Sequence, residues 1–385
     1  MIHEKIIIGG GAAGLFCAAS SQGNNSVILE GNTRPGRKLL MSGGGHCNLT
    51  HGGNIKDFIS HYGDKGKMIR SVLYRHNNLL LVNFFKEHGL PLIERDDGKV
   101  FPTCLSAEDV LDLLLSLTRK NGYTMATNVK VKSLEPLENG NFKINDKYEC
   151  KQVVVATGGC SYPSTGSDGS MFSVLEKLGL NIIAPHPALT TISAEGYPYQ
   201  DLSGMSFSKV EITLEKGITI RDDLLFTHTY FSGPAVLTSA RYLSPGQEIK
   251  INYCPDYTPS LRREGNNKQV VTYFTEAFGL PKRFIETIAK RSNVDGGKKI
   301  SSLTKKEMDK IAALLTGDKF CVSSLGGFNK AMVTAGGVSL DEINLKTFES
   351  KKYPGLYIIG EALDVDGDTG GYNLQWAFSS GYKCV

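Results

Sequence analysis

The stretch from Lys5 to Glu30 constrains this chain more than any other. Lys5-Ile-Ile-Ile-Gly9 reads as a short buried strand, and Gly9-Gly10-Gly11-Ala12-Ala13-Gly14 follows at once, matching G-x-G-x-x-G at Gly9, Gly11 and Gly14. Leu15 to Ser21 continues as a helix of small residues, and a second strand, Ser26-Val-Ile-Leu-Glu30, ends on an acid. Strand, glycine turn, helix, strand and terminal acid in this order form the dinucleotide-binding fingerprint. Gly9 permits the tight turn, Gly11 lets backbone approach a pyrophosphate, and Gly14 lets helix and strand pack closely. The helix then turns free N–H groups and a positive dipole end toward the phosphates. Glu30 suits a ribose diol and repels a 2′-phosphate, which favours FAD or NAD over NADP.

The segment after the acid-bearing strand decides between those two. A simple NAD dehydrogenase crosses to its third strand here. This chain instead runs Gly36-Arg37-Lys38-Leu39-Leu40-Met41-Ser42-Gly43-Gly44-Gly45-His46-Cys47-Asn48, a basic pair and then a glycine loop. Such a segment suits backbone laid along a long cofactor, with Arg37 and Lys38 against pyrophosphate and Ser42 to Gly45 beneath a flat ring. Gln152-Val-Val-Val-Ala156-Thr157-Gly158-Gly159 reads as a buried strand that returns across the cofactor. Near the far end, Leu356 to Gly360 is a strand followed by Glu361, and Asp364 is placed to bond ribityl hydroxyls. Gly370-Gly371-Tyr372-Asn373-Leu374 opens a helix whose N-terminus suits the flavin pyrimidine, where reduction places negative charge. The order of these pieces favours FAD.

Composition narrows the class further. The chain has 385 residues, 41% hydrophobic and 21% charged, as expected of a globular protein of two or three domains. The eight cysteines form no C-x-x-C, which argues against a zinc site or a redox dithiol built from local sequence. No run approaches 18 apolar residues, so no spanning helix is expected. Met1-Ile-His-Glu-Lys5 runs straight into a strand without a signal segment, and a cytoplasmic location is expected. A formal charge of +4 is slight, and no basic, aromatic-rich patch stands out, so a nucleic-acid partner is not expected.

Several longer stretches identify a relationship: Gly9–Gly14, Gly36–Thr50, Ala156–Gly169, Phe226-Thr-His-Thr-Tyr-Phe-Ser-Gly-Pro-Ala235, Ala335–Val338 and Gly360–Ser380. Through them the whole chain resembles the bacterial NAD(P)/FAD-dependent oxidoreductase family that includes aminoacetone oxidase and a bile-acid dehydroxylation-pathway reductase. The resemblance implies an α/β fold: an FAD-binding two-dinucleotide-binding (Rossmann-like) domain with an inserted mainly-β domain and a small helical subdomain. The implied boundaries are 1–186 and 330–385 for the FAD domain, 187–254 and 319–329 for the β insert, and 255–318 for the helical part. Alternating positions such as Val210-Glu-Ile-Thr-Leu214 agree with strands in the insert, and Lys305 to Leu315 has helical periodicity. The cofactor positions that carry over are Gly9, Gly11, Ala12, Ala13, Gly14, Glu30, Arg37, Lys38, Ser42, Gly43, Gly44, Asn48, Ala156, Thr157, Gly158, Gly360, Glu361, Asp364, Asn373 and Leu374. Val131 joins them, in a strand expected to flank the adenine. His46 stands where the family has Arg, the loop Thr165–Phe172 departs from its usual pattern, and a chain ending at Tyr382-Lys-Cys-Val385 is expected to have a short last helix.

Hydride chemistry belongs to the flavin. With no second glycine fingerprint, either NAD(P)H docks only as a transient reductant or the flavin is reduced by substrate and reoxidised by oxygen. Cys47 is expected to be a packed thiol, His186 part of a turn, Tyr162 and Thr165 ordinary loop residues or cleft-lining groups, and His228 either a structural hydrogen-bonding histidine or an acid or base near the active site. No residue is assigned a catalytic role. The leading expectation is hydride transfer between flavin N5 and a small organic substrate or NAD(P)H. The alternatives are a flavoprotein acting on RNA and a non-catalytic flavin binder.

Overall fold

A computed structural model describes residues 2–215, 217–256 and 267–384. The chain divides into two compact units, Met1–Ala188 with Phe328–Val385, and Leu189–Gly327.

In the first unit the strand Ile2–Ile8 lies at the centre of a parallel sheet, paired with Ser26–Leu29 on one side and Tyr148–Val155 on the other. Tyr123–Ala126 extends the sheet beyond Ser26–Leu29, and Leu356–Ile358 beyond Tyr148–Val155. The unbroken apolar runs Ile6–Ile8 and Val153–Val155 follow from burial on both faces. A hairpin, Leu134–Pro136 and Phe142–Ile144, adds antiparallel pairing onto Tyr148–Val155.

Helix Ala107–Lys120 shows why the flanking helices form. Ser106 caps its start by accepting from Asp109 N, Glu108 and Asp109 favour its positive end, and Arg119 and Lys120 favour the other. Val110, Leu111, Leu114 and Leu117 recur at helical spacing and are buried. Truncating one of them to alanine costs about 2–5 kcal/mol.

The second unit is a closed six-stranded barrel with helices packed into its core. In barrel order the strands are Ile192–Ala194, Phe231–Ser232, Thr219–Phe226, Ser206–Leu214, Glu248–Asn252 and Asp318–Leu325. Alternation along Ser206–Leu214 turns Val210, Ile212 and Leu214 inward. The helices Val270–Phe278, Lys282–Arg291 and Lys305–Gly317 add Phe274, Phe284, Ile288, Ile311 and Leu315 to the barrel's own core. Phe284 seats 4.7 Å from both Phe207 and Tyr253, ring centre to ring centre. Arg291 forms a forked pair with Asp318, at 2.6 and 2.8 Å, and Tyr253 donates to the same carboxylate at 3.2 Å. Among the described residues no helix is long and apolar enough to cross a membrane.

Candidate flavin-binding site

The three fingerprint glycines do different work. A Cβ at Gly9, whose φ is +105°, would lie 2.5 Å from the Ala156 carbonyl oxygen, and one at Gly14 would lie 2.0 Å from the Gly9 oxygen. Both positions are therefore set by close packing of backbone against backbone. At Gly11 a Cβ would meet nothing within 4 Å. That open space lies at the start of helix Ala12–Ser20, which no side chain caps. Its first-turn amides have no acceptor within the helix and are free for an anion.

Glu30 is buried and almost saturated. One oxygen accepts from Gly10 N at 2.9 Å, the other from Asn32 N and Nδ2, each at 2.8 Å. Four acceptor sites carry three bonds, leaving capacity for a hydroxyl donor. Asn32, which the sequence did not single out, organises this corner. It also donates to the Thr165 carbonyl at 2.9 Å and accepts from Arg37 at 3.0 Å.

A second polar cluster joins distant parts of the chain. Lys38 pairs with Glu361 at 2.5 Å and donates to Ser161 Oγ at 2.6 Å. Ser161 donates in turn to Glu361 at 2.8 Å, and Thr334 N donates to the same oxygen at 2.8 Å. A Cβ on Gly158, at φ +73°, would lie 2.8 Å from Ser167 Oγ and 3.8 Å from Glu361 Oε2. Near these groups Thr157 Oγ1 and Ser167 Oγ are buried with no hydrogen-bond partner, as is Asn48 Oδ1 in the glycine loop. Buried polar atoms without partners are uncommon in a finished structure. Three around one glycine-lined cradle fit a polar ligand such as FAD, and Gly44, where a Cβ meets nothing within 4 Å, adds open space over the loop.

The remaining positions frame the C-terminal end of this cradle. Gly360 donates its N–H to Ser380 Oγ at 2.9 Å and accepts from Trp376 Nε1 at 3.0 Å, which fastens helix Tyr372–Gly381 to the glycine turn. Gly381 completes that junction, because a Cβ there would fall 2.6 Å from the Ala13 oxygen. Asp364 is buried, paired with Lys65 and accepting from Gly336 N at 3.2 Å. Its oxygens are thus engaged by the protein itself. Asn373 likewise spends its amide on Gly367 and Asp368, as a clamp on the loop before the helix, and Leu374 is half-buried beside it. Tyr372 lies between two imidazoles, stacked 4.0 Å from His61 and 5.4 Å from His51, and His61 Nδ1 meets Asp368 at 3.0 Å.

Two expectations, for Val131 and His186, need correction, whereas Cys47 is the packed thiol expected. Val131 is buried but in no strand; it lies in the connection between Tyr123–Ala126 and Leu134–Pro136, where Asn145 ties down the backbone of Lys130, Lys132 and Ser133. His186 belongs to the strand Ile182–Ala188, paired with Ala335 next to a bulge, and not to a turn. Cys47 is fully buried, at φ +59°, and burial pushes its thiol up to about 12. Tyr162 is left-handed at φ +53°, half-buried, with its phenol pushed up by burial. His228 is exposed in the second unit. Ser161 and Ser167 lie inside the stretch Ala156–Gly169 but were not singled out within it, and Thr334 and Lys65 carried no signal because single polar residues outside a motif look like any others.

The family profile described as "HI0933-like protein Rossmann domain" matches residues 3–385. The chain belongs to the HI0933-like family. Its members adopt the α/β Rossmann-like, FAD-binding fold with an inserted β part and helical segment, and they are oxidoreductases. Among similar proteins, the ribosomal RNA dihydrouridine synthases of Escherichia coli (strain K12) and Haemophilus influenzae are each 33% identical, over 99% of this chain and 97% of theirs. The 3-dehydro-bile acid delta(4,6)-reductase of Clostridium scindens is 30% identical over 98% of this chain and 96% of its own. The expectation of no nucleic-acid partner does not stand, since HI0933-like relatives that match end to end are named for ribosomal RNA. The charge argument behind it failed because a whole-chain sum conceals how the charges are distributed.

Proposed function

We propose that this protein is an FAD-dependent reductase that saturates the C5–C6 double bond of uracil in ribosomal RNA, in the cytoplasm. The observation that carries this reading is the similarity to ribosomal RNA dihydrouridine synthases over essentially the whole of both chains. Uracil and a 3-keto-Δ4,6 bile acid share a carbon–carbon double bond conjugated to a carbonyl. One hydride-transfer site therefore accounts for relatives with such different substrates.

In this reading FAD lies within residues 1–186 and 330–385. The amides of Gly11 to Gly14 and the Arg37 guanidinium hold the pyrophosphate, Glu30 a ribose, and Thr157, Ser167 and Asn48 gain the partners they lack. Bound FAD supplies hydride transfer, with NAD(P)H as transient electron source. The protein's own residues position the ring and manage the proton. The start of helix Tyr372–Gly381, which no side chain caps, would favour negative charge on the bound cofactor. His61, oriented by Asp368 and stacked on Tyr372, is the candidate proton donor.

The test is nucleoside mass spectrometry of ribosomal RNA, taken from cells lacking the gene and incubated with the FAD-loaded protein and NADPH. A uridine gaining two hydrogens is the expected result. Unchanged RNA alongside reduction of a conjugated steroid ketone would replace this reading with a small-molecule one.

A further inference from the structure

The helical part of the inserted unit carries a charge that the rest of the molecule does not. Residues 267–316 hold ten Lys and Arg against five Asp and Glu, whereas residues 189–254, the strands of the same unit, hold five against seven. The whole chain is only +4, so this fifty-residue segment accounts for more than the entire net charge. Three of its cations are spent inside the fold: Arg291 on Asp318, Lys298 on Glu307 and Lys268 on Glu276. Among the described residues, Lys282, Lys290, Lys299, Lys305, Lys306 and Lys310 are exposed and in no ion pair.

Fold stability does not explain their placement. Lys305 and Lys306 occupy the first turn of helix Lys305–Gly317, the end at which a cation opposes the helix dipole. A capping box between Thr304 and Glu307 already secures that start. The Lys298–Glu307 pair, 3.1 Å, ties the segment that ends at Lys299 to the first turn of this helix, the turn that also carries Lys305 and Lys306. Like charges gathered at an unfavourable helix end are a cost that a polyanion removes.

Resting on the RNA reading above, we infer that this helical surface docks the phosphate backbone of the substrate RNA. Phosphate contacts of this kind fix position without reading sequence, and each contributes to the salt dependence of binding.

The experiment uses full-length, FAD-loaded protein and deproteinised ribosomal RNA, with affinity followed across a salt series. In the triple variant Lys299→Glu, Lys305→Glu, Lys306→Glu, two of the changes put acids where the helix dipole favours them, so folding is not threatened. The expected result is about a tenfold or greater loss of affinity, with the log–log salt slope shallower by about 2–3. FAD content and bleaching of the flavin by NADPH stay as in the parent. A triple variant that binds RNA with the parent's affinity and slope, while the parent modifies RNA, would overturn the docking surface alone. A parent protein that neither binds nor modifies RNA overturns the functional reading instead. Retention on phosphatidylserine vesicles but not on RNA would assign the surface to a membrane and also overturn the inference.

Discussion

Two carboxylates in this molecule each meet a cation, and their surroundings differ. Asp318, in the inserted unit, is 1% exposed and takes both arms of Arg291 together with the Tyr199 and Tyr253 hydroxyls. Burial and that carboxylate hold both phenols well above their ordinary range. Glu361, in the glycine-rich unit, meets Lys38, Ser161 and Thr334 but keeps a fifth of its side chain open, next to buried hydroxyls with no partner. The first cluster is closed on itself. The second adjoins buried hydroxyls that have no partner in the protein, which is what an FAD-binding fold leaves for its cofactor.

Asp318→Ala puts this contrast under the greatest strain. It leaves Arg291 partly buried without its partner, and about 3–5 kcal/mol of stability is lost, read from the urea midpoint. A much smaller loss would mean that Asp318 is no more structural than Glu361. Next in size, Gly14→Ala forces a methyl into the Gly9 carbonyl and costs about 1–3 kcal/mol even without cofactor. Gly11→Ala meets no protein atom, so the apoprotein melts as the parent does while FAD affinity falls by about tenfold, roughly 1.4 kcal/mol. Equal effects of the two alanines on the apoprotein would remove the distinction between packing and ligand glycines. Glu361→Gln, in a mostly buried pair that keeps its hydrogen-bonding shape, changes stability by about 1 kcal/mol and registers mainly in FAD retention.

The pH profile adds a gentler test. Burial raises Cys47 and Cys150 from the ordinary 9 to about 12, so these thiols ionise in the unfolded chain before the folded one. Their contribution is complete below pH 9 and declines as pH rises toward 12, by up to about 1.4 kcal/mol per unit for each thiol. His76 gives the opposite limb. Burial lowers it from 6.5 to about 4, so its contribution is present above pH 6.5 and is lost as pH falls through 4. Urea midpoints collected from pH 4 to 11 check both limbs, and a Cys47→Ala, Cys150→Ala protein with an unchanged alkaline limb would sink the first.

The local part of this molecule could be read from sequence because its causes are local. Gly9, Gly11, Gly14 and Glu30 lie within one strand–helix–strand unit whose geometry admits few residues at those points. The Lys38–Glu361 pair spans 323 positions and the Thr334–Ser161 contact 173, and no spacing rule connects residues so far apart. Val131 failed as a strand because side-chain bonds from Asn145, not propensity, set the backbone around it. The helix at Lys305–Gly317 was legible from its periodicity, whereas the uneven spread of charge between residues 267–316 and the barrel strands is hidden in a whole-chain sum of +4.

The clasp between Gly360 and helix Tyr372–Gly381 has a consequence for how this protein is made. The turn at Gly9–Gly14 is synthesised well before residues 360–381, yet Ala13 is backed by both Gly360 and Gly381. Residues 189–327 are contiguous and can close their own core while synthesis continues. The glycine turn therefore gains its backing only after the inserted unit has been made, so the two-segment unit closes later than the contiguous one.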